Sequence, residues 1–443
     1  MDLKKFVENF QHRFQLHEIE QMAKETGFVK RKPKKISPMN FLVSLFLSVF
    51  NGINTYSNNA KNIASLIYNT VSKQAVAKRT TRETVDWLKQ ILLSVLMKTS
   101  NLKHEHIFKT KIFSYFNRVI LNDSTYISVP AKLYQFFGGS TNQTNKTTAT
   151  LKIQGYIDIL TEKFCHFDIT PYNKNDQTAS YDIFDIAQPF DLIIRDLGYF
   201  SLEVFKKIVQ HSIFFLSRVR SNTSIFLNDG KTKINLLSYL KKHKSLEYID
   251  INIFLGAKAK LPVRLVANKL SHAIAEKRRQ KEKNHPDRRR NISKENLQLL
   301  SWQIYITNVR PAIWDAKTVC EVYRLRWRIE IIFKSWKSFF QIAAVPQAKL
   351  ERVECHIYFT LIAITLVHSY LYVRTMEYAY LKYGSYISLL KFYNYVKEQA
   401  WNVMQIFTES NGFKNFIEQA VYYCAYEKRN KRISYQHRLM ALG

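Results

Sequence analysis

The chain has 443 residues, which is enough for two or three domains with full hydrophobic cores. Lysine and arginine total 67 against 35 acidic residues, so the formal net charge is +32 and an anionic partner is indicated. The charge is spread along the whole chain, which favours nucleic acid over a membrane surface. The four cysteines lie far apart without C-x-x-C spacing, which excludes a disulfide framework and a cysteine zinc site.

Hydropathy argues against export and against a membrane anchor. Residues 1–18 are too polar for a secretory signal. The longest apolar run, residues 358–373, is shorter than the roughly 20 apolar residues that a membrane span needs. This run is therefore predicted to be a buried helix, and the protein is expected to be soluble and cytoplasmic.

The N-terminal quarter of the chain is predicted to be helical. Apolar residues recur at helical spacing through residues 41–50 and 87–97. Between them, two short helical runs at 62–67 and 73–81 flank a polar turn, and the second run carries Lys, Gln and Arg. This arrangement is typical of a helix-turn-helix reader of DNA. Short helix pairs are also common in all-α domains, so both interpretations stay open here.

Short β-type runs begin near residue 118. Residues 119–121 end at Asn122-Asp123-Ser124-Thr125, and further strands are predicted at 150–159 and 165–170. An aspartate just after an apolar strand usually caps a turn. Asp123 therefore has an ordinary structural explanation beside a catalytic one.

The next apolar strand, residues 190–194, is followed by Asp196, a glycine turn and a helix. This order places the Asp196 carboxylate at the carboxyl edge of a sheet, where α/β proteins bind their ligands. Three other aspartates compete for the same role. Asp182 and Asp185 are predicted to lie on a helix and Asp191 inside the strand, so Asp196 is favoured.

Residues 221–310 lie between Asp196 and the next recognisable motif, and they make that interval long. Three strand-like runs within it predict a β-rich insertion: residues 249–255, 263–267 and 303–307. Two basic runs, 277–283 and 288–290, also lie in this region. Such runs are usually solvated faces, and phosphate binding is the alternative.

Residues 322–340 are predicted to form a helix with two opposed faces. One face carries a glutamate, three cations and a phenol at spacings of three, four, four and three: Tyr323, Arg326, Glu330, Lys334 and Lys337. The opposite face is apolar: Leu325, Ile329, Ile332, Trp336 and Phe340. A solvated, salt-bridged surface is the ordinary explanation of the polar face. Three cations around one acid, with Tyr323 and Trp327 on or beside the arc, instead suit a metal-dependent enzyme that acts on a nucleic acid backbone.

The pattern Tyr323-x2-Arg326-x3-Glu330-x6-Lys337 resembles, with complete spacing, the Tyr-Arg-Glu-Lys signature of bacterial insertion-sequence DDE transposases. The resemblance implies an α/β fold with an RNase H-like catalytic core. It also implies that Glu330 is the last of three metal-binding carboxylates, which demands two aspartates upstream.

The two upstream aspartate motifs are similar to those of the same family. Asp123 is followed by Ser-Thr after a strand, and Asp196 is followed shortly by Gly-Tyr. Arg195 departs from the family pattern, in which small residues are more usual before the second aspartate. The resemblance implies that Asp123, Asp196 and Glu330 are catalytic and bind two Mg²⁺ or Mn²⁺ ions per active site.

The resemblance also implies a set of residues that bind DNA. Tyr323, Arg326 and Lys337 are expected to contact phosphates, with support from Lys334 and Trp327. Arg218, on the strand at 214–220, corresponds to an arginine that helps to hold the DNA end. Trp302 corresponds to a tryptophan that stacks on an extruded base in a hairpin, a contact worth about 1–3 kcal/mol.

The predicted function is therefore that of a cut-and-paste DNA transposase. It is expected to cleave at the terminal inverted repeats of an insertion sequence, form hairpins, and join the 3′-hydroxyl ends to target DNA. The expected partners are double-stranded DNA and a second copy of the chain, in a homodimeric synaptic complex associated with the bacterial nucleoid. Two alternatives remain: an RNase H-like nuclease without strand transfer, and a non-catalytic repressor that binds terminal repeats.

The predicted domain organisation follows from these motifs. Residues 1–105 form a helical DNA-binding domain, and 106–220 with 311–345 form the RNase H-like core. Residues 221–310 form the β-rich insertion within that core. Residues 346–443 form a helical C-terminal region whose first helices pack on the core.

Overall fold

The computed structural model describes residues 16–31, 35–101, 110–141, 147–284, 293–403, 412–427 and 435–442. The helices described ahead of the sheet are α1 (Leu16–Glu25), α2 (Pro38–Asn51), α3 (Tyr56–Ile67), α4 (Lys73–Ala77) and α5 (Arg82–Ser100). Local sequence sets their limits. The Ser37 side chain accepts a hydrogen bond from the Asn40 N–H at the start of α2, and Gly52 ends this helix in the left-handed conformation with φ of 68°.

The predicted helix-turn-helix is wrong in its second member. The expected helix over residues 73–81 ends at Ala77, so α4 has five residues and little more than one turn. A recognition helix needs more length than this to cross a major groove. The apolar Val76 is buried, while Lys73 and Gln74 remain exposed. DNA binding by this region remains a prediction.

The centre of the molecule is a large mixed sheet. Its first strands are β1 (Val119–Val129), β2 (Gly138–Thr141), β3 (Thr147–Asp158), β4 (Lys163–Pro171), β5 (Leu192–Arg195) and β6 (Phe214–Arg218). Strand β3 is antiparallel to β1 and β4, whereas β5 is parallel to β1 and β6 is parallel to β5. The resulting order, β4-β3-β1-β5-β6, with one antiparallel central partner, is that of an RNase H-like core. The predicted fold class is confirmed.

The region predicted to be a β-rich insertion continues this sheet. Its strands are β7 (Ile225–Phe226), β8 (Lys233–Ile234), β9 (Tyr248–Leu255), β10 (Leu261–Lys269) and β11 (Trp302–Thr307). Strand β11 pairs antiparallel with β6, and the order runs on through β10, β9, β7 and β8. The three strand runs predicted here are confirmed. The basic run 277–283 lies on a helix, and the run 288–290 lies outside the described residues.

Some helices lie between the strands of the sheet in sequence, and others come after the last strand. Those within and between the strands are α6 (Asp176–Ala179), α7 (Leu202–Gln210), α8 (Leu236–Lys242), α9 (His272–Lys283) and α10 (Lys294–Leu299). Those after β11 are α11 (Ala316–Tyr323), α12 (Trp327–Phe339), α13 (Leu350–Thr365), α14 (Val373–Tyr383), α15 (Leu389–Glu398), α16 (Phe413–Tyr423) and α17 (Tyr435–Ala441). The helices at the two ends of the chain meet, because Arg82 of α5 forms a 2.6 Å ion pair with Glu354 of α13.

The predicted single helix over residues 322–340 is interrupted. A 3₁₀ turn, Arg324–Arg326, separates α11 from α12. Its tighter winding changes the angular position of the side chains that follow. The apolar face is buried as predicted, and Trp336 is fully buried with its ring 5.6 Å from that of Phe164.

Residues Leu350–Tyr383 form one long helical segment, with a π-helical stretch at Leu366–Tyr372 between α13 and α14. By length and composition alone this segment could cross a membrane, but 89% of its apolar window is buried inside the protein. It is therefore a core helix, as predicted for residues 358–373.

Gly155 of β3 controls the distance between the sheet and α12. It pairs with Asp123 of β1, and a Cβ atom at this position would lie 3.0 Å from a ring carbon of Phe333. We predict that Gly155→Ala lowers the free energy of unfolding by about 1–3 kcal/mol, because overpacking pushes α12 away from the sheet. Urea unfolding measures this change.

The matched control is Gly138→Ala on β2, where a Cβ would meet its nearest atom, Asn173 Nδ2, at an ordinary 3.5 Å. This control is expected to unfold at nearly the wild-type urea concentration. Equal destabilisation by both substitutions would show that α12 does not press on Gly155.

Candidate active site

The register of two strands brings the two predicted aspartates together. The expectation that the first strand ends before Asp123 is wrong, because β1 pairs with β3 along its length and continues to Val129. Its other neighbour, β5, ends with Arg195 opposite Asn122. Asp123 therefore lies one position beyond the end of β5, where Asp196 follows. The two carboxylates share one edge of the core sheet.

The aspartates that competed with Asp196 have other roles. Asp191 is fully buried and forms a 2.6 Å ion pair with Arg118, and Asp182 forms one of 2.7 Å with Lys174. Asp185 is exposed at the end of a 3₁₀ turn. The choice of Asp196 from the sequence agrees with this geometry.

Glu330 reaches the same place from the first turn of α12, and a single guanidinium lies among all three carboxylates. Arg326 Nη2 is 2.6 Å from Glu330 Oε1, and Nη1 is 3.4 Å from Asp123 Oδ2. Arg326 Nε is 3.9 Å from Asp196 Oδ1. The structure thus gathers the predicted triad around one cation that the same sequence signature supplies.

Burial dominates the electrostatics of this cluster. It raises the pKa of Asp123 to about 7, and the neighbouring carboxylates of Asp196 and Glu330 add to the effect. The backbone N–H of Ser124 and the Arg326 guanidinium oppose it. Burial disfavours the charge of Arg326, but Tyr323 and the carboxylates outweigh this and raise its pKa. Three carboxylates with one cation leave the cluster short of positive charge.

The donor atoms of the cluster suit a hard divalent cation. Carboxylate oxygens are the ligands that Mg²⁺ and Mn²⁺ prefer. Across the described parts of the chain, no three His, Cys, Asp or Glu side chains are gathered closely enough to hold a metal as they stand. Here Arg326 occupies the space between the carboxylates. The chemistry of the site fits a metal, and the guanidinium has to move aside for one to bind.

Tyr323, which stays a predicted phosphate contact, is built into the wall of the site. It is buried, its hydroxyl donates to the Arg195 carbonyl oxygen at 3.3 Å, and its ring lies 4.5 Å from that of Tyr305. Arg195 itself is buried, and its Nη1 donates to the Ser180 carbonyl at 2.9 Å. Both contacts hold the end of β5 directly before Asp196.

The remaining predicted DNA-binding residues of the helix lie at the surface. The Trp327 ring is 54% exposed, and the Lys334 ammonium lies 5.8 Å from its centre. Lys337 is exposed on the next turn, and Arg218 is exposed at the end of β6. Trp302 differs from the expectation, because its ring is 6% exposed and packs in the core of the insertion. It is the first residue of β11, opposite Lys269 of β10, and it also lines the cleft beside the site.

A cleft of about 1140 Å³ runs from Asp196 between the catalytic helix and the insertion. Its walls carry cations and aromatic rings, including Arg218, Arg278, Lys281, Arg324, Tyr305 and Trp327. Arg278 is half-buried on α9, and burial together with the charge of Arg218 lowers its pKa. No salt bridge to Arg218 or Arg278 is formed within the described residues. Two cations this close to each other in the wall of the cleft indicate a site for an anion.

Sequence reasoning missed Arg278 as an individual residue. It belongs to the basic run 277–283, which gave only a choice between a solvated face and phosphate binding. Within that run, the helical period could have separated the inward Arg278 from the exposed Lys277, but the direction of the cleft is a tertiary feature.

The raised pKa of Asp123 makes the stability of the metal-free protein depend on pH. Between the ordinary value of 3.8 and the folded value of about 7, the folded state holds a proton that the unfolded state has released. Rising pH therefore lowers the free energy of unfolding in this window, by up to about 1.4 kcal/mol per pH unit. We predict that Asp123→Asn removes this slope. Urea unfolding from pH 5 to 8 with a chelator tests it, and an unchanged slope would contradict the assignment. The control, Asp185→Asn, keeps the wild-type slope.

Comparisons with known proteins identify the family of this chain. The family described as the transposase DDE domain matches residues 114–366. The transposase of insertion sequence IS231D from Bacillus thuringiensis subsp. finitimus is 31% identical over 83% of this chain and 80% of its own length. That of IS1151 from Clostridium perfringens is 30% identical over 82% and 80%.

A solved synaptic complex of the piggyBac transposase with hairpin DNA is 12% identical and covers 95% of this chain and 85% of its own. Its TM-score of 0.45 is too low to support an inference. The family match and the two relatives establish the family without it. The chain belongs to the DDE transposase family of bacterial insertion sequences, enzymes that cleave DNA and transfer its strands and that generally use divalent metal ions.

Proposed function

We propose that this transposase excises its insertion sequence at the terminal inverted repeats through a hairpin intermediate and joins the freed 3′-hydroxyl ends to target DNA. The observation that carries the proposal is the convergence of Asp123, Asp196 and Glu330 on Arg326, at the mouth of a basic cleft. Phosphoryl transfer needs a cation site beside a path for an anionic strand, and this edge of the sheet offers both.

Asp123, Asp196 and Glu330 would hold two Mg²⁺ or Mn²⁺ ions. When bound, such ions activate the attacking oxygen and stabilise the leaving oxygen. Asp123 has to lose its proton to serve as a ligand, and its pKa of about 7 puts that loss near neutral pH. The three carboxylates require no covalent intermediate with the protein.

Arg326 can serve two partners in turn. A guanidinium presents a planar fork of donors that matches a carboxylate and a phosphate equally well. Released from the carboxylates, Arg326 stays on the 3₁₀ turn at the head of α12, within side-chain reach of the same space. There it would bind a phosphate of the DNA end, with the exposed Lys337 placed further along the helix.

The cleft supplies a route for the DNA end. Arg218 and Arg278 both line it, close enough for the charge of Arg218 to lower the pKa of Arg278, and Arg324 and Lys281 add charge to its walls. The exposed ring of Trp327 borders the same cleft and offers a stacking surface for an unpaired base. Since Trp302 is buried, Trp327 is the better placed of the two tryptophans for a hairpin.

Recognition of the repeats and assembly belong to the same proposal. The helices of residues 1–105 would bind the terminal repeats, with Lys73 and Gln74 among their exposed polar side chains. Two copies of the chain would bridge two DNA ends in a synaptic complex. The expected setting is the bacterial nucleoid.

We predict that Glu330→Gln abolishes cleavage of DNA that carries the element's own ends, with a rate loss of about 100-fold or more, because one carboxylate ligand is removed. Binding of the ends should change little. Cleavage with Mg²⁺ and gel-shift binding measure the two effects. Asp185→Asn, an exposed acid outside the cluster, should cut at the wild-type rate.

DNA ends with and without a 3′-hydroxyl distinguish the joining step from the cutting step. Pre-nicked ends with a 3′-hydroxyl should join target DNA, and 3′-deoxy ends should not. Cutting without joining would indicate a nuclease, and binding without cutting would indicate a repressor. If Glu330→Gln cuts like the wild type, the proposed site is wrong.

Arg278→Ala is predicted to weaken binding of DNA ends and to reduce the slope of log affinity against log salt by about 0.9, the value for one phosphate contact. Titrations at several salt concentrations measure the slope. The control is Lys277→Ala, which removes an exposed cation from the same helix outside the cleft. Equal slopes for the two variants would place the DNA elsewhere.

A further inference from the structure

A buried ion pair lies behind the catalytic helix. Arg328 stands two residues before Glu330 on α12, so their side chains leave the helix about 200° apart. Glu330 faces the carboxylate cluster, and Arg328 therefore points into the protein, where 4% of its side chain is exposed. Its partner is Glu162, of which none is exposed.

The geometry of the pair is specific. Arg328 Nη2 lies 2.7 Å and Nε 3.2 Å from Glu162 Oε2. Glu162 sits in the tight turn between β3 and β4, in the left-handed conformation with φ of 53°. Burial alone would raise the pKa of Glu162, but Arg328 and His368 together outweigh this and lower it. Both groups are charged, so the contact is strong and depends on direction.

Elements from the C-terminal part of the chain enclose this pair. The Tyr372 hydroxyl lies 3.3 Å from Arg328 Nη2 and receives a 2.8 Å hydrogen bond from the Gln436 side chain. His368 Nε2 lies 3.5 Å from Glu162 Oε2, and the Tyr435 ring centre is 4.5 Å from the guanidinium. The π-helical stretch and α17 therefore help to enclose the pair.

An apolar face alone would hold α12 against the sheet without fixing its orientation. Hydrophobic contact is not directional, and burying two charges is not needed for stability, since well-packed apolar substitutes are often as stable. An ion pair in which two guanidinium nitrogens bind one carboxylate oxygen, by contrast, depends on direction and restrains the rotation of a helix and its position along its axis. Catalytic groups tolerate little displacement, because a misplacement of about 1 Å can cost about 100-fold in rate.

We propose that Glu162 and Arg328 are positioning residues that set the rotation and axial position of α12, so that Glu330 meets Asp123 and Asp196. The proposal rests on the proposed function, in which Glu330 is a metal-binding catalytic residue. It goes beyond the proposed function by assigning a role to two residues outside the carboxylate cluster, whose charged groups bind each other. The β3–β4 turn thus becomes part of the catalytic apparatus.

The test replaces the pair in the full-length protein with apolar residues of similar length, Glu162→Met together with Arg328→Met. Glu162→Met alone and Arg328→Met alone leave an unpaired buried charge and should unfold at lower temperatures than the double variant. The double variant should unfold within a few degrees of the wild type and bind DNA ends with an affinity within about twofold. Its single-turnover cleavage should fall about 100-fold. Its Mn²⁺ affinity, measured by electron paramagnetic resonance without DNA, should fall about 10-fold.

A double variant that is stable, cleaves within about threefold of the wild type and binds Mn²⁺ normally would overturn the proposal. If the double variant does not fold, Arg328→Lys decides, because it keeps the positive charge but cannot place two donor nitrogens on the Glu162 carboxylate. Arg328→Lys should lose cleavage and Mn²⁺ affinity, and a wild-type result from it would overturn the proposal. Glu330→Gln is measured in parallel. If Glu330→Gln cleaves normally the proposed function fails, whereas an inactive Glu330→Gln beside a fully active double variant defeats this inference alone.

Discussion

The site depends on one electrostatic constraint, which is that three carboxylates must share one small space. The register of β1 and β5 sets Asp123 beside Asp196, and α12 adds Glu330. Burial raises the pKa of Asp123, and the like charges of the neighbouring carboxylates add to the effect. Arg326 relieves the repulsion, because each of its three nitrogens lies near a different carboxylate. Because repulsion among the three carboxylates is only partly relieved by Arg326, the cluster favours the binding of a divalent cation.

The surrounding structure serves mainly to keep α12 in place. On the sheet side, the absence of a side chain at Gly155 lets the Phe333 ring approach β3. On the far side, Arg328 binds Glu162 in the turn that ends β3. The strand β3 therefore contacts the helix through close packing at Gly155, and the turn that follows β3 contacts it through the charge of Glu162. A helix held in this way can present Glu330 without a loop to position it.

Much of this architecture could be predicted, because apolar periodicity and signature spacing are local properties. The alternating runs predicted β3, β4 and the strands of the insertion, and the spacing from Tyr323 to Lys337 predicted the triad helix. The predictions that failed concern features that are set by contacts with residues distant in sequence. Whether β1 ends at Asn122 or continues is decided by pairing with β3, and the burial of Trp302 by packing inside the insertion. Glu162 and Arg328 are 166 residues apart, and no local pattern joins them.

The insertion affects the site because its strands belong to the same sheet. Tyr305 of β11 pairs with Arg218 of β6, so the wall of the cleft and the core cannot move independently without breaking backbone hydrogen bonds. The Tyr305 ring packs on Tyr323, whose hydroxyl binds the carbonyl of Arg195, next to Asp196. A series of direct contacts therefore links Arg218 in the cleft to the residue before Asp196. The distance from Arg218 to the carboxylates of the proposed active site is therefore set by the fold and not by a flexible linker.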